Sequence, residues 1–318
     1  MSRAEQVTVV GAGVIGLTTA VVLAESGLAT TVVAAEIPGR TSLAAGAMWG
    51  PYLVEPKDKV ERWSQRSLET FTELAKDPGT GVRITSGIEA SRHEDEAPDW
   101  ARTLPGFRAC KTDELPSGFI SGFSYAVPLI DMPVYLDYLL GRAAGAGVTI
   151  ETRHLTTLAA LELGPLVVNC TGLGAARLAN DAELKPIRGQ HVVVSNPGIT
   201  EFFSEDTGPS EDLLCIYPHG ETVVLGGTAI TDRGDVTPDE DAAAAILRRC
   251  QAIDSRLGDA QVLEHRIGTR PTRPSVRVER EQQGNRVILH NYGHGGAGVT
   301  LSWGCADEIA ALAAQTGT

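Results

Sequence analysis

The sequence predicts an α/β fold in which a dinucleotide-binding βαβ unit is interleaved with a second domain, an α+β one built on a mixed or antiparallel sheet. Three observations carry that prediction. An apolar strand, a glycine cluster and a helical pattern follow one another in VTVVGAGVIGLTTA, residues 7–20. A second glycine-rich segment, HNYGHGGAGVTLSWG at residues 290–304, lies near the opposite end of the chain. Between them there is neither an internal repeat nor a low-complexity linker, so the domains are expected to interleave rather than follow in series. A chain of 318 residues fits about two domains.

The elements justify this in order. Residues 7–10 are a short buried strand, residues 14–26 have helical apolar spacing that stops at Gly27, and residues 30–35 are a second buried strand before Glu36. Residues 41–52 are small and without period, which reads as a loop in close contact with something. Val60, Trp63, Leu68, Phe71 and Leu74 space an amphipathic helix over about 56–76, and residues 82–125 alternate short strands with polar loops. Asp131 is placed to cap a helix over 133–144, followed by a strand at 148–152 and a buried strand at 166–170. A hairpin is expected from 213–218 and 222–230, turning at His219, Gly220 and Glu221. Thr237, Pro238 and Glu240 form a capping box for a helix to about Ile253. Residues 287–290 are the last strand and 300–314 the last helix.

Composition narrows the partners. The net charge of −13, with no basic stretch, disfavours nucleic acid and anionic membranes. No apolar run reaches the roughly 18 residues of a membrane span, and the start has no secretory leader pattern. Cys110, Cys170, Cys215, Cys250 and Cys305 are scattered and odd in number, as reduced thiols of a cytoplasmic protein would be, with no metal site.

The GxGxxG of Gly11, Gly13 and Gly16 carries the chemistry. The first glycine permits the turn out of the strand, the second a close approach of the backbone to a pyrophosphate, and the third helix–sheet packing. The helix start supplies amides and positive potential to the phosphates, and Glu36, 20 residues beyond Gly16, is placed to accept from a ribose. The two further glycine turns, VVNCTGLGA (residues 167–175) and HNYGHGGAGVT, favour FAD over a nicotinamide, because the isoalloxazine must be held far from the adenine.

These segments, together with AAGAMWGPYL, PIRGQ (residues 186–190), YPHG followed by VVLGGT, and GTRPTRPSVRVE (residues 268–279), resemble the D-amino acid oxidases of the FAD-dependent amine-oxidizing family, in family order from end to end. The resemblance implies a discontinuous Rossmann-type FAD domain of residues 1–50, 145–185 and 265–318, and a substrate domain of 51–144 and 186–264. It implies cofactor contacts from Gly11, Gly13, Val14, Ile15, Gly16 and Glu36, and from Thr41 and Ser42. Ala45, Gly46 and Ala47 would follow along the flavin ring, with Cys170, Thr171 and Gly172. Gly295, Gly296, Gly298, Val299 and Thr300 would lie beside the pyrimidine edge. Arg270 matches the residue that holds the substrate α-carboxylate, and the Gly296 carbonyl the acceptor of its amine. The implied reaction passes the α-hydrogen as hydride to flavin N5, then yields a 2-oxo acid, ammonia and, from dioxygen, hydrogen peroxide. No protein base takes the α-proton.

Some of this has its own physical ground. A guanidinium binds a carboxylate through two parallel hydrogen bonds, and Pro271 and Pro274 stiffen the backbone around Arg270; Arg273 and Arg277 are its competitors. A helix starting near residues 298–300 would stabilise negative charge on the reduced ring. His290 and His294 read as cofactor or loop contacts, His219 as a turn residue, and Cys170 and Cys305 as packing residues. One departure stands out: the family's tyrosine three residues before the proline of the YPHG turn is Cys215 here, and Tyr217, on the same strand face, is placed to compensate. Residues 198–214 resemble an active-site lid only loosely. No extra cation is evident for an acidic side chain, so neutral or apolar D-amino acids are expected over D-aspartate. D-aspartate and glycine or sarcosine oxidation are the nearest other reactions, a turnover-less flavin-binding module the reading from another class, and a homodimer is left open.

Overall fold

The computed structural model describes residues 6–51, 53–205 and 212–316. Tyr52 and residues 206–211 of the lid-like segment lie outside the described residues. The N-terminal βαβ unit is β1 (Gln6–Val10), α1 (Val14–Glu25) and β2 (Ala29–Ala34), with β1 and β2 parallel and in register from Gln6↔Ala29 to Val10↔Val33. Next come α2 (Arg40–Leu43), α3 (Lys57–Leu74), β3 (Val82–Ser91), α4 (Asp99–Arg102), β4 (Arg108–Ala109) and β5 (Ser121–Ile130). The segment expected to be a loop at 41–52 therefore begins with a helical turn. It then turns sharply at Ala47, whose φ of 56° is a left-handed conformation.

The chain continues through α5 (Met132–Gly145), β6 (Thr149–Thr152), β7 (Leu166–Asn169), α6 (Ala175–Leu178), β8 (Lys185–Ser195), β9 (Phe202–Glu205), β10 (Asp212–His219), β11 (Thr222–Thr228) and β12 (Ile230–Thr231). It closes with α7 (Glu240–Ile253), β13 (Val262–Gln283), β14 (Arg286–His294) and α8 (Gly298–Ala314). Asp131 occupies the cap position of α5 without a side-chain bond. Thr237 does not cap α7; Asp239 does, its carboxylate accepting from the Ala242 amide at 3.0 Å, because the chain is still extended at Asp239. His219 belongs to β10, paired with Thr222, rather than to the turn.

Among the described residues the strands form one sheet in the order β4-β5-β3-β9-β10-β11-β8-β13-β14-β7-β1-β2-β6, with β12 on β8. One end, β14-β7-β1-β2-β6, is parallel and buried between helices, which explains the near-continuous valines of β1, β2 and β7. The other end is antiparallel apart from β3 against β9. A single strand joins them. The first half of β13 pairs with β8 from Val262 to Thr272, and its second half pairs with β14 from Thr272 to Gln283. Pro271 and Pro274, which cannot donate to a ladder, fall where the strand exchanges neighbours.

Packing brings α8 into the centre. Its first two turns are buried all round, from Val299 to Ala306, as a helix covered on several sides must be. The approach of α3 is close enough that a Cβ on Gly304 would lie 2.3 Å from the Trp63 Cα. Trp303 donates to the Tyr135 hydroxyl of α5 at 2.9 Å. In PIRGQ, Arg188 and Gln190 are buried and bind the loop ahead of α7, Arg188 through Asp235 and Gln190 through the Asp239 backbone. No helix among the described residues is long and apolar enough to cross a membrane.

Candidate active site

One cleft of about 870 Å³ runs between the two ends of the sheet, within the range of about 300–1,000 Å³ typical of ligand sites. One end is made by the expected glycines. Gly11 has φ +115°, and a Cβ there would lie 2.3 Å from the Cys170 carbonyl oxygen; one on Gly16 would lie 1.9 Å from the Gly11 oxygen. Strand, turn and helix therefore close tightly only without side chains. Gly13 ends this turn as the N-cap of α1, and the Val14 amide is held by Ser42 Oγ at 2.9 Å. Glu36 lines the same end and pairs with Arg40 at 3.3 Å.

The middle of the cleft is a strap of small residues, Ala44 to Ala47, that Thr41 helps anchor to the Thr269 carbonyl at 3.2 Å. Ile15, Thr171, Gly172, Gly295, Gly298 and Val299 also line the cleft. Gly298 opens α8, whose first amides meet no side-chain cap, and it lies close enough to Ile15 for a Cβ to be 3.9 Å from Ile15 Cγ1. Two helix N-termini thus open into one crevice, where their positive ends favour anionic groups. Thr300 uses its hydroxyl to hold Gly50 through both its amide and its carbonyl, each at 3.1 Å.

At the far end stands Arg270. Its guanidinium lies over Gly189, where a Cβ would be 2.5 Å from Nη1, and it donates to the Thr228 carbonyl at 3.0 Å. Gly296 is its neighbour across the cleft, a Cβ there being 3.7 Å from Arg270 Cδ. Enclosure holds the Arg270 pKa below its ordinary value, and among the described residues no carboxylate pairs with it. The competitors are occupied: Arg273 pairs with Asp181 and Glu183, Arg277 with Glu279 and Glu281. Tyr217 and Cys215 both line the cleft, and the Tyr217 ring packs on Gly46, 3.2 Å from a Cβ built there. Its hydroxyl is 3.4 Å from Ser204 Oγ. Burial raises the Tyr217 pKa and pushes the Cys215 thiol up to about 12, so both remain protonated donors.

The histidines divide differently from the sequence expectation. His290 is a buried structural link, with Nδ1 3.3 Å from Asn169 and Nε2 2.9 Å from Glu281. His294 lines the cleft with Nε2 buried and unbonded, and Asn291 Oδ1 is likewise without a partner. His191 is a site residue that sequence reasoning missed. Its Nδ1 is 2.9 Å from the Ala44 carbonyl, so β8 holds the strap, while His219 holds it again through the Gly46 backbone. Burial first, then the charge of Arg270, lowers the His191 pKa to about 4; His219 is lowered to about 4 as well, by burial first. Nothing local in the sequence marks His191, since its partner lies 147 residues away.

Glycine cradle, paired helix N-termini, orphaned buried polar atoms and an uncompensated guanidinium together suit an extended flavin dinucleotide with a carboxylate beside it. The family model described as FAD dependent oxidoreductase matches residues 6–312. The chain belongs to this family. It is similar to a D-amino-acid oxidase of Rubrobacter xylanophilus, 48% identical over 309 residues that cover 96% of this chain and 94% of the relative. It is also similar to a D-amino-acid oxidase of Streptomyces coelicolor, 46% identical over 315 residues that cover 98% and 97%. Glycine oxidase from Bacillus cereus shares the fold, with a TM-score of 0.82 at 21% identity over 98% of this chain and 95% of that one. As an FAD-dependent oxidoreductase of this family, the chain has the α/β architecture that its glycine motifs predict.

Proposed function

We propose that this chain is an FAD-dependent D-amino acid oxidase, converting a D-amino acid, dioxygen and water to a 2-oxo acid, ammonia and hydrogen peroxide. The observation that carries the reading is Arg270, an enclosed guanidinium without a carboxylate partner among the described residues, facing the cleft beside Gly296. A buried cation is costly unless paired, and a substrate α-carboxylate completes it through two charge-assisted hydrogen bonds. The two relatives named D-amino-acid oxidase support the same reading.

Each residue has a definite task in this proposal. Arg270 clamps the carboxylate, the Tyr217 hydroxyl donates to it in place of the family tyrosine that Cys215 replaces, and the Gly296 carbonyl accepts from the substrate amine. The amine, once neutral, supplies the electron push, so the chain needs no base at the α-carbon. Gly11, Gly13, Val14, Ile15, Gly16, Glu36, Thr41, Ser42, Cys170, Thr171 and Gly172 would hold the dinucleotide. Ala45, Gly46 and Ala47 would face the ring, and Gly295, Gly296, Gly298, Val299 and Thr300 its pyrimidine edge. Bound there, the flavin supplies the hydride acceptor and the two-electron route to dioxygen. Arg270 is the one cation at the substrate end among the described residues, which disfavours acidic side chains. The division into residues 1–50, 145–185 and 265–318 against 51–144 and 186–264, a cytoplasmic setting for the five unpaired thiols, and small molecules rather than nucleic acid or membrane as partners belong to the same proposal.

Peroxide release across a panel of D- and L-amino acids tests it, with Arg270→Ala as control. Activity confined to D-enantiomers and lost in the variant is expected. Bleaching of the flavin by L-enantiomers alone, or near-normal kcat/KM in Arg270→Ala, would refute it.

A further inference from the structure

A chain of hydrogen bonds runs from the half-buried Glu281 of β13 to the glycine turn after β7, and each link in it allows only one direction. The Thr171 backbone amide lies 3.2 Å from one terminal atom of the Asn169 side chain, and the Thr171 hydroxyl lies 2.7 Å from the same atom. A backbone N–H can only donate, so that atom is Oδ1. The other end of the amide, Nδ2, then offers only hydrogens, and it faces His290 Nδ1 at 3.3 Å, where β7 and β14 pair in register. Nδ1 must therefore accept. The ring proton is thus on Nε2, 2.9 Å from the Glu281 carboxylate. Asn169 and His290 are both buried. At its inner end the chain meets the nucleotide turn: the Cys170 amide donates to the Val10 carbonyl at 2.9 Å, and the Cys170 carbonyl lies 2.3 Å from where a Cβ on Gly11 would be. Thr171 and Gly172 line the cleft.

We propose that His290 is a positioning residue for the cofactor: as a neutral ring protonated at Nε2 it orients Asn169, and through Asn169 it holds the Thr171 turn in the form that receives the dinucleotide. This rests on the placement of Thr171 and Gly172 at the cofactor proposed above, and not on the substrate. A second proton on the ring reverses one link, because Nδ1–H would then face Nδ2–H, two donors with no acceptor between them. The Asn169 amide must turn over or withdraw, and the Thr171 amide and hydroxyl lose Oδ1 together. Acid therefore loosens the grip on the dinucleotide. The charged groups acting on the ring come from β13, namely Glu281, Arg277 and Glu279. β7 presents the uncharged Asn169, and Tyr292 of β14 stands edge-on with ring centroids 5.6 Å apart. Beyond that phenol, Asp181 is held by Tyr292 and Arg273, and Arg177 of α6 is turned to the Leu155 carbonyl. Burial outweighs the Glu281 carboxylate and keeps the His290 pKa below its ordinary value, so the neutral ring is the resident form at neutral pH.

Flavin release from the diluted holoprotein, read as recovered flavin fluorescence across a pH series, tests it, with circular dichroism at each pH to separate release from unfolding. The parent should hold flavin about tenfold or more tightly at about pH 8 than at about pH 5. Glu281→Gln keeps an acceptor for Nε2–H and removes the charge that favours the second proton, so the midpoint of that loss should move down by about half a pH unit or more. His290→Gln cannot titrate and should flatten the loss. Should that variant fail to fold, Glu281→Gln decides alone, because its site is half-buried at the end of the chain of bonds. Ring 15N resonances of histidine-labelled holoprotein should show a neutral His290 protonated at Nε2. A ring protonated at Nδ1, or a midpoint that stays put or rises in Glu281→Gln, would overturn the proposal. Gly172→Ala, which adds a methyl to the turn at a φ of +53°, separates the two readings. If it loosens flavin at every pH while Glu281→Gln leaves the midpoint unmoved, the role of His290 alone falls; if it leaves flavin release unchanged, the cofactor placement falls and the proposal with it.

Discussion

Gly189→Ala is a small change with a calculable result. The added Cβ would lie 2.5 Å from Arg270 Nη1 and 2.8 Å from both Cζ and Nη2. Ordinary contact begins near 3.4 Å, so the guanidinium must retreat by about 1 Å. A misplacement of about 1 Å in a substrate-positioning group costs about 10²-fold in rate. The atoms displaced are the free end of a flexible side chain, and Gly189 sits in ordinary strand conformation within β8, so the fold should tolerate alanine. We therefore expect kcat/KM for D-alanine to fall about 100-fold, with Tm within about 2 °C of the parent. Peroxide release and thermal unfolding of the same preparations would measure both. In an Arg270→Ala background the second substitution should cost little further, because there is no guanidinium left to move. An undiminished kcat/KM in Gly189→Ala, or the same 100-fold loss whether or not Arg270 is present, would refute the reasoning.

Gly11→Ala brings a Cβ within 2.3 Å of the Cys170 carbonyl at a φ of +115°, so both clash and strain fall on backbone. A loss of at least about 2 kcal/mol in urea unfolding, together with loss of bound flavin, is expected. His191 and His219 are held near 4 and His294 near 3, burial being the first cause in each, whereas the unfolded chain titrates near about 6.5. The unfolded state thus binds more protons in between, so stability is full above about pH 6.5 and drains away as pH falls toward 4. A urea midpoint unchanged between pH 7 and pH 5 would contradict this. Native protein should expose a single thiol to an aromatic disulfide reagent, Cys110, because the other four cysteines are buried and burial pushes Cys170 and Cys215 to about 12. Rapid labelling of a second thiol before unfolding would count against the packing described.

What the sequence made legible was chemistry encoded at short range. Gly11, Gly13, Gly16 and Glu36 declare a nucleotide turn through spacing alone, and the structure lines one end of the cleft with Gly11, Gly13 and Glu36 while Gly16 packs against the Gly11 carbonyl. Arg270 was legible through its GTRP neighbours, and its isolation from Arg273 and Arg277 became visible only when those two found carboxylates. β13 was not legible as a 22-residue strand, because Pro271 and Pro274 break the pattern where it changes partner. His191 was missed because it gains its meaning from a residue far along the chain, the Ala44 carbonyl. Thr237 misled because Asp239, two residues later, offers the better-placed cap.

The double allegiance of β13 constrains how such a molecule can change. Arg270 rides on the girder common to both halves, so its backbone cannot be shifted without disturbing the strands on either side. β3 and β9, farther along the same sheet, pair with neither β13 nor β14. Substitutions on β3 and β9 can therefore accumulate without moving the strand that carries Arg270.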